Sequence, residues 1–332
     1  MDTLGCRPPF DEESEADALN PAADQEASRD KHEQHIIKEK QPCYSRRMLR
    51  IGASSHGESN LRMLRVVRRG DRHDARDLTV GCRFEGDFDA AFVDGAAPGL
   101  LPGEVLKRLV HATARTDGGA AIERFGLALC ERLLADHPRI TRARVEISEQ
   151  PWARLEAGGK AQGQSFLRGA PERRSTAVTS NGTQIAVVSG IEHLTLMRTS
   201  GLAPTRKGQP VSDATGFDDG LQRLLVATLS ARWSYTSPDV TFDPYRQGVR
   251  AAIVETFGCH ASRSVHHTLY GIADVVLSSY EEIRDVTLSL QERPYRPVDL
   301  FQAGIENPDD LFVAVEEPVG IVEVTVERDA RQ

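Results

Sequence analysis

The sequence predicts an α+β protein made of a duplicated ββααββ unit, with antiparallel strands in one sheet and helices on one face of it. Two observations support this prediction. Alternating apolar and polar positions mark strands, apolar residues three and four apart mark helices, and both patterns occur twice in the same order. One segment of the first half also matches a segment of the second half without a gap, which indicates an internal repeat.

The first half begins with two strands joined by a turn. Residues 61–67 and 78–84 alternate between apolar and polar positions, and Gly70 and Asp71 supply the turn between them. A third alternating stretch, residues 139–148, predicts another strand farther along the chain. Strands on both sides of a helical region are typical of an α+β unit.

Two helices are predicted between these strands. Pro102 suits the first position of a helix, which needs no backbone N–H and accepts the fixed φ angle of proline. The second helix should stop at His137 and Pro138, because a residue before proline disfavours the α conformation. The residues at helical spacing are Val105, Leu106, Leu109 and Val110 in the first helix, and Ile122, Phe125, Leu129 and Leu133 in the second.

The second half repeats this order of elements. Residues 221–235 predict a strand, and Asp243 and Pro244 predict the N-cap and first position of a helix. Gly258 is expected to end that helix. The remaining elements are a helix marked by Leu269, Ile272 and Val276, and strands over residues 283–290 and 320–326.

The internal repeat is visible in the residues themselves. Residues 140–152 align with residues 283–295, so that apolar, polar, Glu, Pro and aromatic positions coincide. The preceding helices follow the same register, since Leu129 aligns with Ile272. A match that runs from a helix through a strand to a Pro-aromatic end indicates duplication of the whole unit. The exposed edges of the resulting sheet must be protected, and closure of an oligomer into a barrel is one way to do so.

The chain divides into three predicted regions. Residues 1–48 are predicted to be a disordered acidic tail, because residues 11–30 are rich in Glu, Asp, Ala and Asn and contain almost no large apolar side chains. The first ββααββ unit is predicted over residues 49–170 and the second over residues 171–332.

Composition excludes several classes of function. The chain has 332 residues and a formal net charge of -8, which argues against a general nucleic-acid binder. No apolar run is long enough to span a membrane, and the N-terminus has no apolar segment of a secretory signal. The five cysteines are odd in number and form no C-x-x-C pair, which is typical of free thiols in a reducing compartment. We therefore expect a cytoplasmic protein.

Several short segments occur in an order and spacing that are specific when taken together. They are residues 84–88, 125–129, 194–199, 264–270 (S-V-H-H-T-L-Y), 298–300, 304–307, 311–313 and 317–326 (E-P-V-G-I-V-E-V-T-V). In these segments the chain resembles the uricase (urate oxidase) family, over about residues 50 to 328.

The resemblance implies a fold, an assembly and a reaction. It implies a tandem tunnelling fold and a homotetramer whose sheets close into a barrel or tunnel. Active sites would lie at subunit interfaces and take residues from both subunits. The reaction would be the oxidation of urate, or of a related planar purine-like heterocycle, by O2. The family needs no metal or organic cofactor and forms 5-hydroxyisourate and peroxide.

The positions that carry catalysis in the family have changed in this chain. The resemblance places the lysine of the family's proton-relay pair at Glu58 and the threonine of that pair at Gly103. The active-site asparagine and histidine fall at Glu292 and Pro294, and the glutamine that contacts urate falls at His266. We therefore expect Glu58, His266 and Glu292 to be the acid-base groups of a divergent site.

The resemblance also indicates residues that bind substrate. It aligns the urate-binding arginine with Arg223, and an arginine there can bind a planar anion through two hydrogen bonds. Phe217, Val265, His266 and Glu104 are the other predicted substrate-binding residues.

The substitutions leave three interpretations open. Glu58, Glu104 and Glu292 together would make the pocket acidic, repel urate and raise the pKa of at least one carboxyl group. The protein could therefore be a repurposed oxygenase that acts on a different heterocycle. It could use a divalent or redox metal near His266 and Glu292, a donor set that such metals accept. It could also be a catalytically inactive paralogue that binds a ligand.

Overall fold

Eight long strands form one antiparallel sheet. Each candidate site residue in the described part of the chain lies on a strand of this sheet or on a helix packed against it. The computed structural model describes residues 50–95, 99–199, 224–259, 264–308, 310–316 and 319–329. From Ile51 onward the chain forms one compact unit. The predicted tail over residues 1–48 lies outside the described residues.

The strands and helices are as follows, in chain order. The strands are β1 (His56–Arg69), β2 (Arg72–Gly86), β3 (Ile140–Gln150), β4 (Trp152–Ala157), β5 (Lys160–Arg168), β6 (Arg173–Ser180), β7 (Ile185–Arg198), β8 (Leu225–Tyr235), β9 (Ile283–Arg293), β10 (Tyr295–Pro297), β11 (Phe312–Ala314) and β12 (Ile321–Glu327). The helices are α1 (Asp89–Val93), α2 (Gly103–Thr116), α3 (Ile122–Asp136), α4 (Phe242–Cys259) and α5 (Val265–Ser279), with a 3-10 turn over Phe301–Ala303.

The strand order of the large sheet is β1-β2-β3-β6-β7-β8-β9-β12, and β4–β5 and β10–β11 form separate hairpins. Four strands of each half are therefore neighbours in the sheet. Along the chain, α2 and α3 lie between the second and third of these strands in the first half, and α4 and α5 lie at the same point in the second half. The predicted boundary at residue 170 precedes β6, whereas this four-plus-four pattern divides after β6.

The two halves share an irregularity in their first strands. β1 bulges over residues 58–61, and β7 bulges over residues 191–194. Within the bulges Asn60 and His193 have φ angles of 60° and 58°, and no other non-glycine residue of the described part has a positive φ. The β1 bulge and the β7 bulge face equivalent positions of their neighbouring strands, so the duplication extends to local backbone conformation.

The core lies between one face of the sheet and the helices. On β2, Leu78, Val80, Cys82 and Phe84 are buried, while the residues between them are at least partly accessible to solvent. These side chains belong to one apolar cluster with the buried residues of α2, α3, α4 and α5. Alternation along the strands thus places the helices on one face and polar side chains on the other, as predicted. No helix in the described ranges is both long and apolar enough to cross a membrane.

Three predicted helix boundaries differ from the structure, and the predicted strands differ from the observed ones at their ends. Pro102 is the residue before α2, because its ψ of 139° is extended and its carbonyl accepts the first helical hydrogen bonds. Asp243 lies inside α4, where its carboxylate accepts a 3.2 Å hydrogen bond from Arg246 instead of capping the helix. Gly258 lies in the last turn of α4, which continues to Cys259. β8 begins at Leu225, and residues 221–223 of the predicted strand lie outside the described part.

Candidate active site

The first group of site residues surrounds the N-terminus of α2. Gly57 lies so close to β2 that a Cβ atom on it would be 1.9 Å from the carbonyl oxygen of Cys82. The β1 bulge begins immediately afterwards, at Glu58. A glycine followed by a bulge fixes the direction in which the Glu58 side chain leaves the edge strand.

The Glu58 carboxylate occupies the space that a side chain at position 103 would need. A Cβ atom on Gly103 would lie 2.3 Å from Oε1 of Glu58. Gly103 is the first residue of α2, where free backbone N–H groups and the helix dipole favour a negative charge. The resemblance implies that Glu58 replaces a lysine and that Gly103 replaces a threonine. The two replacements fit each other, because the glycine leaves the space that the Glu58 carboxylate occupies.

Glu104 and Lys107 complete this group. Lys107 Nζ donates a 2.8 Å hydrogen bond to Glu104 Oε1, and that hydrogen bond lowers the pKa of Glu104. The same bond raises the pKa of Lys107, with a smaller contribution from the charge of Glu58. Glu104 is exposed, so the pair is solvated rather than part of a closed pocket. Lys107 was not among the predicted site residues, although the i,i+3 spacing of Glu104 and Lys107 was a signal for the pair.

The second group lies where α5 begins and β9 ends. Ser264 caps α5, and its hydroxyl accepts a 3.2 Å hydrogen bond from the backbone N–H of His267. Val265 is buried, and His266 in the first turn is exposed. α5 leads back through a short turn into β9, so its first turn lies toward the end of β9 that carries Glu292.

Glu292 is held in place by the sheet on both sides. It lies opposite Ala227 of β8, and its backbone N–H donates a 2.9 Å hydrogen bond to the carbonyl of Gly320. Burial raises the pKa of Glu292. One carboxyl group with a raised pKa was expected, but the cause is burial rather than repulsion between neighbouring carboxylates.

The structure does not bring the two groups together within one chain. Glu58 lies on the first strand of the sheet and Glu292 on the seventh, about 29 Å apart along the sheet at about 4.8 Å per strand. The acidic pocket expected from Glu58, Glu104 and Glu292 would take residues from two subunits, and it stays a prediction. Arg223 and Phe217 lie outside the described residues.

A metal centre has no visible ligand set in the described ranges. No group of three His, Cys, Asp or Glu side chains among them is placed to hold a metal ion. The chemistry available at the two groups is that of carboxylates, a histidine and a lysine, which can accept, donate or hold protons.

These features define an α+β protein with two separate groups of polar candidate residues, one near each edge of the sheet. A family model described as Uricase matches residues 187–323. The uricase of Arthrobacter globiformis is 30% identical over 279 residues, which cover 84% of this chain and 90% of that protein. The uricase of Danio rerio is 25% identical over 284 residues, which cover 84% of this chain and 95% of that one.

Solved structures agree with the sequence comparisons. The crystal structure of the Arthrobacter globiformis uricase matches with a TM-score of 0.77 and 29% identity, over 86% of this chain and 96% of that chain. A uricase from Bacillus fastidious has the same fold, with a TM-score of 0.70, 17% identity, and coverage of 84% of this chain and 94% of that chain. The chain belongs to the uricase family.

Proposed function

We propose that this protein is an oxidoreductase that oxidises urate with O2 at a site shared between two copies of the chain. Family membership supports the reaction. The observation that supports the proposal most directly is the fit between Glu58 and Gly103. A carboxylate that fills the space at the start of α2 indicates a site whose residues have changed together, rather than a site that has lost its function. That fit does not favour an inactive paralogue.

The proposed reaction requires proton transfers and two electrons. Urate, O2 and H2O give 5-hydroxyisourate and H2O2, so that two electrons pass from the heterocycle to O2. In this proposal Glu58, which lies beside the N-terminus of α2, accepts a proton from bound urate. Glu292, whose pKa is raised by burial, and His266 hold or return protons from the other half-site. No metal or organic cofactor takes part.

Substrate binding completes the proposed site. Arg223 would bind the acceptor edge of urate through two hydrogen bonds, and Phe217 and Val265 would pack against the planar rings. His266 would contact the ring edge. Glu104, beside Gly103 on the first turn of α2, would bind a donor group of the heterocycle.

The assembly proposed here is a homotetramer of tandem tunnelling-fold chains that close into a barrel. β1 and β12 are the two edges of the sheet, and each has one side without a partner strand among the described residues. Arg62, Arg68 and Arg69 are exposed on β1, whereas Glu323 and Glu327 are exposed on β12. Opposite charges on the two edges favour pairing of β1 in one copy with β12 in another.

That pairing would also complete the site. It would bring Glu58 of one copy toward the half-site with His266 and Glu292 on another copy. The proposal also includes the acidic tail over residues 1–48, a cytoplasmic location and two units. The predicted boundary between residues 49–170 and 171–332 is moved in this proposal to the turn after β6.

A direct assay tests the proposed function. Purified protein of known metal content is given urate, and O2 uptake is recorded together with the loss of urate absorbance. We expect equimolar consumption of both, unchanged by a chelator. An assembled protein that consumes neither would contradict the proposal, and activity that disappears with the chelator would assign the reaction to a metal.

A further inference from the structure

The internal repeat makes a second copy of the candidate site inside each chain. Ile283 follows Ile140 by 143 positions, and the same offset relates the buried residues of the helices. The matching buried residues are Leu106, Val110 and Thr113 in α2, and Val249, Ile253 and Thr256 in α4. The junction between the two halves of one chain is therefore built from the same elements as the two half-sites.

Each site residue has a counterpart at this intrachain junction. Gly103, Glu104 and Lys107 correspond to Arg246, Gln247 and Arg250, and His266 and Glu292 correspond to Glu123 and Glu149. Strand register pairs Glu58 with Cys82 and Ile191 with Ala231, and these partners are equivalent positions of β2 and β8. Ile191 is thus the counterpart of Glu58.

Four of these counterparts line one cavity. A cavity of about 410 Å³ is lined by Ile191, Arg246, Gln247 and Arg250 from the second half and by Pro151 and Trp152 from the end of β3 and the start of β4. The cavity therefore joins the start of α4 to the end of β3, as the proposed subunit interface would join the start of α2 to the end of β9.

One side chain distinguishes the copy from the candidate site. Gly103 has no side chain, whereas its counterpart Arg246 is 4% exposed and carries a guanidinium group. That group hydrogen-bonds to the fully buried Glu123 of α3, and its Nη1 donates a 3.2 Å hydrogen bond to Asp243. Arg246 thus places a planar cation against the counterpart of His266.

The hydrogen bonds around Glu123 orient its carboxylate for binding such a cation. Its Oε1 also accepts a hydrogen bond from Ser189, whose hydroxyl accepts a 3.0 Å bond from Tyr235. Trp233 in turn donates a 2.9 Å bond to Tyr235. Every donor in this series of hydrogen bonds is directed toward Glu123. The Oε2 atom of Glu123 is buried and has no hydrogen-bond partner among the described residues, so the carboxylate retains capacity for one more donor.

We propose that Arg246 is a built-in ligand that occupies the intrachain copy of the site, and that a chain without this side chain binds a free guanidinium cation between Glu123 and Asp243. The ligand class is a small planar cation with several N–H donors. A free guanidinium has no aliphatic chain that restricts its position, so it can reach both carboxylate oxygens of Glu123. The proposal rests on the repeat and does not depend on oxidation of urate.

Replacement of Arg246 by glycine tests the proposal, because R246G gives the copy the residue found at position 103. R246G leaves Glu123 buried without its cation and should lower the melting temperature. Methylguanidinium at millimolar concentration should raise the melting temperature of R246G by several degrees and leave the wild type almost unchanged. Trimethylammonium, a cation without the planar set of donors, should have no such effect.

The double variant R246G/E123Q is the matched control. It keeps the cavity but removes the buried carboxylate, so we expect higher stability than R246G and no response to methylguanidinium. If R246G does not fold alone, the yield of folded protein on refolding with methylguanidinium provides the same titration. Equal responses of R246G, R246G/E123Q and the wild type would overturn the proposal, as would failure to recover folded R246G at every concentration.

Discussion

Glu58 and Gly103 form a pair in which one residue supplies a charged group and the other supplies the space for it. Oε1 of Glu58 lies 2.3 Å from the place of a Cβ atom on Gly103, so any larger residue at position 103 must displace the carboxylate. The displaced group can move, because it is the end of a flexible side chain. A substitution at position 103 therefore moves the carboxylate without removing it, whereas a substitution of Glu58 removes it.

We predict that G103A lowers kcat for urate oxidation by about 10-fold or more, because the methyl group moves Glu58 away from the N-terminus of α2. The stability of the fold should change by less than about 1 kcal/mol, since an alanine is acceptable at a helix start. Steady-state kinetics and thermal unfolding measure the two effects. E58Q should lose more activity than G103A, and a G103A protein as active as the wild type would contradict this role of Glu58.

Two glutamates at equivalent positions of the repeat show how neighbours determine ionisation. Burial opposes the charge of Glu149, but a 2.7 Å hydrogen bond from Arg76 and the charges of Arg76, Arg174 and Arg246 hold its pKa below the usual value. Burial raises the pKa of Glu292, its counterpart. The intrachain position is therefore a structural ion pair, whereas Glu292 is suited to hold a proton.

The lowered pKa of Glu149 predicts a pH-dependent contribution to stability. A carboxyl group whose pKa is lower in the folded state stabilises the fold above its unfolded pKa of about 4.5, and this stabilisation disappears as the pH falls through the lowered value. E149Q should therefore cost on the order of 3 kcal/mol at neutral pH and much less in acid. Denaturant unfolding at several pH values measures the difference, and a cost independent of pH would contradict the assignment.

At the scale of elements, α3 packs against the sheet through a glycine. A Cβ atom on Gly126 would lie 2.8 Å from Cγ2 of Val178, which is fully buried on β6. Val178 cannot move outward, because it lies in the core between α3 and the sheet. The close approach of α3 to β3 and β6 therefore depends on the absence of a side chain at position 126.

We predict that G126A destabilises the protein by about 1 to 3 kcal/mol, although alanine favours the helical conformation, because overpacking exceeds the gain in propensity. G258A is the matched control. Gly258 also lies in a helix, but a Cβ atom there has no neighbour within 4 Å, so G258A should be neutral or slightly stabilising. Equal effects of the two changes on the free energy of unfolding would contradict the packing argument.

Local sequence patterns predicted most elements, and the exceptions have physical causes. Alternation and helical spacing predicted β1, β2, β3, β8, β9, β12, α2, α3, α4 and α5, because most of these elements have one face that is more buried than the other. The β4–β5 hairpin was not predicted, since its strands lie outside the large sheet and two thirds of their residues are exposed. The Gly158–Gly159 pair was the available signal, and both glycines have positive φ angles.

At the scale of the whole molecule, the repeat gives each chain one complete junction between its own two halves. At each edge of the sheet it leaves one half of a similar junction, which a second copy of the chain would complete in this proposal. The intrachain junction joins the start of α4 to the end of β3, whereas the starts of α2 and α5 serve opposite edges of the sheet. The family resemblance identified Glu58 and Glu292 as candidates. Their separation within one chain depends on the order of strands in the sheet, which local patterns do not predict. The pairing of Arg246 with Glu123, across 123 residues, was not predicted for the same reason.

Complementation between inactive variants tests the shared site most directly. E58Q alters one half-site, and H266A/E292Q alters the other, so neither variant alone should oxidise urate. Chains of both variants, co-expressed at equal levels, should regain about a quarter of the wild-type activity, because half of the random pairs are mixed and each mixed pair has one intact site. Mixed assemblies that are verified by native mass spectrometry and still consume neither urate nor O2 would contradict a site built from two chains.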